Sequence, residues 1–143
     1  SYEYSRGLVK EAIAQNEKLT YLIDIHRDSQ PGTITTKNIN GINYARLFFV
    51  VGKENKNYEK NLDIATKLHN ALERSYPGIS RGVFVKTKSE GNGVYNQDLT
   101  ERALLLEFGG VDNNLTELYN SVDAFAEVFE SYYRDEGKKV NSN

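Results

Sequence analysis

The sequence predicts an α/β domain, with a largely parallel sheet, one hairpin, and helices packed on both faces of the sheet. Three observations carry that prediction. Segments with apolar residues at helical spacing alternate with short strand-like runs. An Asn-Gly pair, the strongest short-range hairpin signal, stands at residues 40 and 41. Two further runs, Leu47 to Val51 and Ala103 to Leu106, are continuously apolar, as strands covered on both faces are. At 143 residues the chain is long enough for one domain with an enclosed core, and it shows no internal repeat or linker.

Taken in order, Leu8, Val9, Ala12 and Ile13 recur at helical spacing and predict a first helix within SYEYSRGLVKEAIAQN, residues 1–16. TYLIDI then alternates as a strand does, and Pro31-Gly32 makes a turn. The hairpin follows in TITTKNINGINYARLFFVVG, its second arm expected at Leu47 to Val51. Tyr58, Leu62, Ala65, Leu68 and Leu72 mark one face of a helix between Asn57 and Tyr76, which YPG stops. GVFVKT is the next strand, the polar KSEGNG a loop, and RALLLEFGG a buried strand. A last helix starts near Asn114, where Asn114 and Glu117 stand at capping-box spacing. Its stripe is Leu115, Leu118, Tyr119, Val122, Phe125, Phe129 and Tyr132, and residues 135–143 read as a flexible tail.

Composition narrows the function classes. Eighteen Lys and Arg against twenty Asp and Glu give a net charge of -2. With no basic block, nucleic acid is not an expected partner. There is no Cys, so any zinc site must be built from His and carboxylates. There is no Met either, and the chain opens at Ser1 directly into a helical pattern. The expectation is a single domain over 1–143 that is incomplete at its N-terminus, with sequence missing upstream. No stretch approaches the roughly eighteen apolar residues that span a bilayer.

The chemistry concentrates where strands end. Asp24, His26, Arg27 and Asp28 place ionisable groups where an apolar run stops. On a strand, Asp24, His26 and Asp28 point to one face and Ile23 and Ile25 to the other. Ligands gather outside the carboxyl ends of strands in such sheets, and a neutral imidazole there can bind metal. Asp24 and Asp28 are then candidates to fix its tautomer. Glu107 follows four apolar residues. An apolar wall raises a carboxyl pKa and suits proton transfer.

Plainer readings stand beside these. A His at a strand end also serves as a hydrogen-bonded residue, Glu107 as a salt-bridged edge residue, and Arg27 as a partner for Asp24 or Asp28. Gly109-Gly110 reads as a tight turn, His69 as a satisfied helix histidine, and the sequon at Asn114 as a helix start.

The segments YLIDIHRDS, LFFVVGKENKNYEKN, SRGVFVKT, GNGVYNQDL and ALLLEFGGVDNNLTELYNS, in this order and spacing, resemble the catalytic domain of the stage II sporulation protein P family, within the zinc-dependent N-acetylmuramoyl-L-alanine amidases. The resemblance covers nearly the whole chain and implies an amidase-like three-layer fold. It places His26 at a zinc-binding histidine and Glu107 at the catalytic glutamate. It also implies that two further zinc ligands, a His and a Glu, are expected upstream of residue 1, so that the 143 residues alone are inactive. The implied chemistry is hydrolysis of the bond between the lactyl group of muramic acid and L-alanine, with zinc acidifying a water and Glu107 as base. Cleavage of peptide cross-links comes with the same family. So do an extracytoplasmic, membrane-anchored parent at the cell wall or forespore, peptidoglycan as substrate, and a lytic transglycosylase and a membrane scaffold of the engulfment machinery as partners. The alternative from another class is a non-catalytic peptidoglycan-binding or docking module. A metallophosphoesterase, suggested by Asp24-Ile25-His26, lacks any further ligand set.

Overall fold

The computed structural model describes residues 21–88, 97 and 100–142. The helix expected within residues 1–16 and the loop segment 89–96 lie outside the described residues. In chain order the elements are β1 (Leu22–Asp28), a single helical turn α1 (Gly32–Thr35), β2 (Thr36–Ile39), β3 (Ile42–Ala45), β4 (Leu47–Gly52), α2 (Tyr58–Ser75), β5 (Ser80–Lys86), β6 (Ala103–Gly110) and α3 (Leu115–Ser142). This is the α/β architecture that the sequence predicts.

The main sheet runs β1-β6-β4-β5. β1 pairs with β6 and β4 with β5 in parallel, while the central β4–β6 pairing is antiparallel. One face carries the core. Leu47, Phe49 and Val51 of β4 and Leu104, Leu106 and Phe108 of β6 meet Ala65, Leu68 and Leu72 of α2 and Phe125 and Val128 of α3. These strand residues are alternate ones, so a two-residue period turns them all toward the two helices. Both long described helices therefore lie on this face, and α2 matches its expected bounds and stripe.

The hairpin differs from expectation in its second arm. Asn40 and Gly41 adopt φ of 52° and 85°, the left-handed pair that a two-residue turn needs. The arm opposite β2 is β3, not Leu47 to Val51, and the two form a separate two-stranded sheet. The break falls at Arg46, whose N–H donates to Thr35 O at 2.7 Å and whose Nε donates to Gly78 O at 2.8 Å. These contacts turn the chain from the small sheet into the large one.

α3 begins as its capping box requires. Glu117 N–H donates to Asn114 Oδ1 at 2.8 Å, and Asn114 N–H to Glu117 Oε1 at 3.0 Å. Its inward stripe is rotated from the expected one: Ser121, Ala124, Phe125 and Val128 are buried, while Leu115, Tyr119 and Val122 are exposed. The helical backbone continues to Ser142, through the segment expected to form a tail. No helix among the described residues is long and apolar enough to cross a membrane.

Candidate active site

The face of the sheet opposite α2 and α3 carries the charged strand ends. β1 stays extended through His26, Arg27 and Asp28, so alternation holds across the whole cluster. In register, Asp24 stands beside Leu105, His26 beside Glu107, and Glu107 in turn beside Phe48 of β4. Adjacent strands lie about 4.8 Å apart, which makes His26, Glu107 and Phe48 one row across the face.

His26 Nε2 lies 3.2 Å from Asp24 Oδ1. That carboxylate stands as a close electrostatic neighbour of the ring. Glu107 is a different kind of carboxylate. Its Oε2 is buried and has no hydrogen-bond partner among the described residues, an arrangement that costs free energy unless a ligand or a proton meets it. Burial pushes the Glu107 carboxyl above the usual range. The charges of His26 and Arg81 pull it back, and those of Asp28 and Asp24 push it further up.

The remaining expected residues divide between the two faces. Asp28 Oδ1 accepts from Ser29 N at 2.7 Å and closes the turn after β1, while Oδ2 accepts from Arg81 Nη1 at 2.6 Å. Arg27 does not partner Asp24 or Asp28. Alternation turns it to the other side of the strand, where its Nη2 donates to Gly110 O at 2.8 Å and Asn113 O at 3.2 Å. Arg27 thus ties β1 to the corner between β6 and α3 rather than facing the site.

His69 lies on the helix side of the sheet, with Nδ1 2.6 Å from Ser80 Oγ, so it does not join His26. Gly109-Gly110 is not a turn but the end of β6. A Cβ on Gly109 would stand 2.6 Å from Asn113 Oδ1, and one on Gly110 would stand 2.5 Å from Gln30 O. Both glycines are there because other backbone and side-chain atoms approach closely.

Arg81 and Phe48 are the site residues that sequence reasoning missed. Arg81 lies on β5, and its guanidinium stacks 4.7 Å from the Phe48 ring centroid. Gly82 inside a strand-like run was the available signal, because an isolated glycine there marks a bulge that redirects side chains.

The donor set also bears on zinc. Among the described residues no group of three or more His, Cys, Asp and Glu could hold a metal ion. Structural zinc takes four ligands and catalytic zinc three and a water, so the described residues do not make a zinc site by themselves. What they do make is an imidazole near the Asp24 carboxylate and beside the half-buried Glu107 carboxylate, one oxygen of which has no hydrogen-bond partner among the described residues.

The family model described as stage II sporulation protein P matches residues 1–130. The stage II sporulation protein P of Bacillus subtilis (strain 168) is 57% identical over 142 residues, which are 99% of this chain and 35% of that relative. The chain thus spans about a third of the length of the curated relative it matches. No solved structure matches the chain. A family model covering residues 1–130, together with 57% identity across the folded strands and helices described above, establishes that the chain belongs to the stage II sporulation protein P family.

Proposed function

We propose that the chain is part of a peptidoglycan hydrolase of sporulation that cleaves the amide between the lactyl group of muramic acid and L-alanine, with Glu107 as the proton-transfer residue. One observation carries the reading: Glu107 stands in register beside His26 with a buried carboxylate oxygen that no described residue meets. A carboxyl raised by burial takes a proton from an attacking water and holds it long enough to deliver it to the leaving amine. The Asp24 carboxylate lies 3.2 Å from Nε2 of the His26 imidazole.

Zinc, which the family resemblance implies, would take His26 as one ligand and would supply Lewis acidity. The other ligands it needs are not among the described residues, so no step here passes through a metal. Cleavage of peptide cross-links, an extracytoplasmic location in a membrane-anchored parent, and partnership with a lytic transglycosylase and a membrane scaffold belong to the same proposal. The sporulation setting is supported by the name of the Bacillus subtilis relative.

Because the described residues alone supply no three-ligand set, a second reading stands beside the first: a peptidoglycan-binding or docking module without catalysis. Incubating the full-length protein with purified peptidoglycan separates the two. The hydrolase reading expects released stem peptides with a free L-alanine amino group, detected by mass spectrometry. Binding to the cell wall without any release would overturn it in favour of the docking module.

A further inference from the structure

Arg81 reaches the candidate site from the far edge of the sheet. β1 and β5 are its two outer strands, three strand spacings or about 14 Å apart. Arg81 Nη1 nevertheless donates to Asp28 Oδ2 at 2.6 Å, with only 16% of each side chain exposed. Between these ends the guanidinium lies over Phe48, the register neighbour of Glu107. The side chain therefore crosses the face at the row that holds His26 and Glu107.

A bulge follows Arg81 directly. Leu47 pairs with Ser80 and Phe49 with Val83, so β5 carries one extra residue at Arg81-Gly82. Ser80 faces α2, so alternation turns Arg81 to the opposite face, and the extra residue returns Val83 to the helix side. Gly82 supplies the backbone for the bulge, with φ of 116°. α2 holds the bulge from the opposite face: Glu73 Oε1 accepts from Ser80 N at 2.9 Å, and Ser80 Oγ lies 2.6 Å from His69 Nδ1 while accepting from Gly82 N at 3.3 Å.

An arginine has five N–H donors in a planar fork. Asp28 takes one of them, and Nε and Nη2 make no hydrogen bond among the described residues. The guanidinium is thus fixed by a carboxylate and a ring yet keeps donors unspent. It is poorly placed to anchor a permanent anion, because Asp24, Asp28 and Glu107 outnumber it on this face. A transient, localised negative charge beside Glu107 suits it better.

We propose that Arg81 is a catalytic residue that donates to the carbonyl oxygen of the scissile amide as that oxygen becomes an oxyanion, with Asp28 and Phe48 fixing its position. The inference rests on the amide-hydrolase reading above. Water oxygen bonds to the carbonyl carbon, the water proton passes to Glu107, and the C=O π pair moves onto the oxygen, where an Arg81 N–H meets it. The pair then re-forms the carbonyl, the C–N bond breaks, and the proton on Glu107 goes to the leaving amine.

The test uses the full-length protein and a soluble muropeptide. Removing one oxyanion donor lowers kcat about 10²–10³-fold. That loss is expected for Arg81→Ala with KM little changed, partial recovery in Arg81→Lys, and partial rescue of Arg81→Ala by added guanidinium ion. Asp28→Asn, which keeps the shape but loosens the fork, is expected to lower kcat by less. An Arg81→Ala protein with unchanged kcat overturns the proposal. So does a loss that guanidinium does not rescue and that a fall in melting temperature accompanies, which marks a structural residue. If the unaltered protein hydrolyses the muropeptide and Arg81→Ala does so equally, only the Arg81 assignment fails; if neither hydrolyses it, the hydrolase reading fails and takes this assignment with it.

Discussion

Gly110→Ala probes the contact that keeps β1 in register with β6, and so His26 beside Glu107. A Cβ at this position would lie 2.5 Å from Gln30 O and 3.2 Å from both Asp28 O and Thr35 Cγ2. The nearest of these is a backbone oxygen that cannot rotate away. Carbon–oxygen contacts settle at about 3.3 Å or more, so the turn after β1 must open by about 0.8 Å. Overpacking of this kind costs about 1–3 kcal/mol. For a domain of this size the melting temperature falls by about 3–10 °C. The strand end moves with the turn, so the amide resonances of His26, Ser29 and Gln30 are expected to shift in a two-dimensional NMR spectrum. Gly41→Ala is the control: its Cβ meets nothing within 4 Å, although φ of 85° still penalises a side chain. That variant should lose about 1 kcal/mol without moving His26. An unchanged melting temperature and unshifted resonances in Gly110→Ala would refute the close approach, and with it the geometry that pairs His26 with Glu107.

Glu107 also links stability to pH, and the sign follows from its raised carboxyl. A folded-state pKa above the unfolded value of about 4.3 means that the folded chain binds more protons in between, so stability is fullest below that value and declines as pH rises through the folded pKa. Melting temperatures of Glu107→Gln relative to the unaltered chain are therefore expected to diverge upward with pH from about 4.3; a pH-independent difference would contradict the burial argument. At the start of α3, Asn114→Ala removes one half of the reciprocal cap and is expected to cost about 1 kcal/mol in thermal or urea unfolding. No measurable loss would mean that the cap contributes nothing to stability.

The parts of this molecule that follow from local chemistry were legible in the sequence. The bounds of α2, the Asn40-Gly41 turn and the Asn114–Glu117 box depend on spacing and on residues that need particular backbone angles. So does the shared face of Asp24, His26 and Asp28, because a period of two requires only that the strand continue. What depended on distant contacts was not legible. The break at Arg46 is made by carbonyls of Thr35, Ile34 and Gly78, and no pattern around residue 46 announces them. Arg27 resembled a partner for neighbouring carboxylates, but Gly110 and Asn113 claim it from the other face. Arg81 was hidden more deeply, because the β5 strand begins two residues earlier than its apolar run and its partner Asp28 lies 53 positions away in sequence. The stripe of α3 was misjudged in rotation, since Ser121 and Ala124 are small enough to face the sheet closely while Leu115 and Tyr119 are left outside.

The central claim is that Glu107 transfers the proton in amide hydrolysis, and one substitution in the full-length protein tests it most directly. Glu107→Gln keeps the size of the side chain and removes the base. Binding to purified peptidoglycan is expected to persist while release of stem peptides falls by about two to four orders of magnitude. His26→Ala, run beside it, is expected to lose bound zinc as well as hydrolysis, which separates the ligand role from the base role. A Glu107→Gln protein that binds peptidoglycan and still releases stem peptides at the unaltered rate would contradict the account.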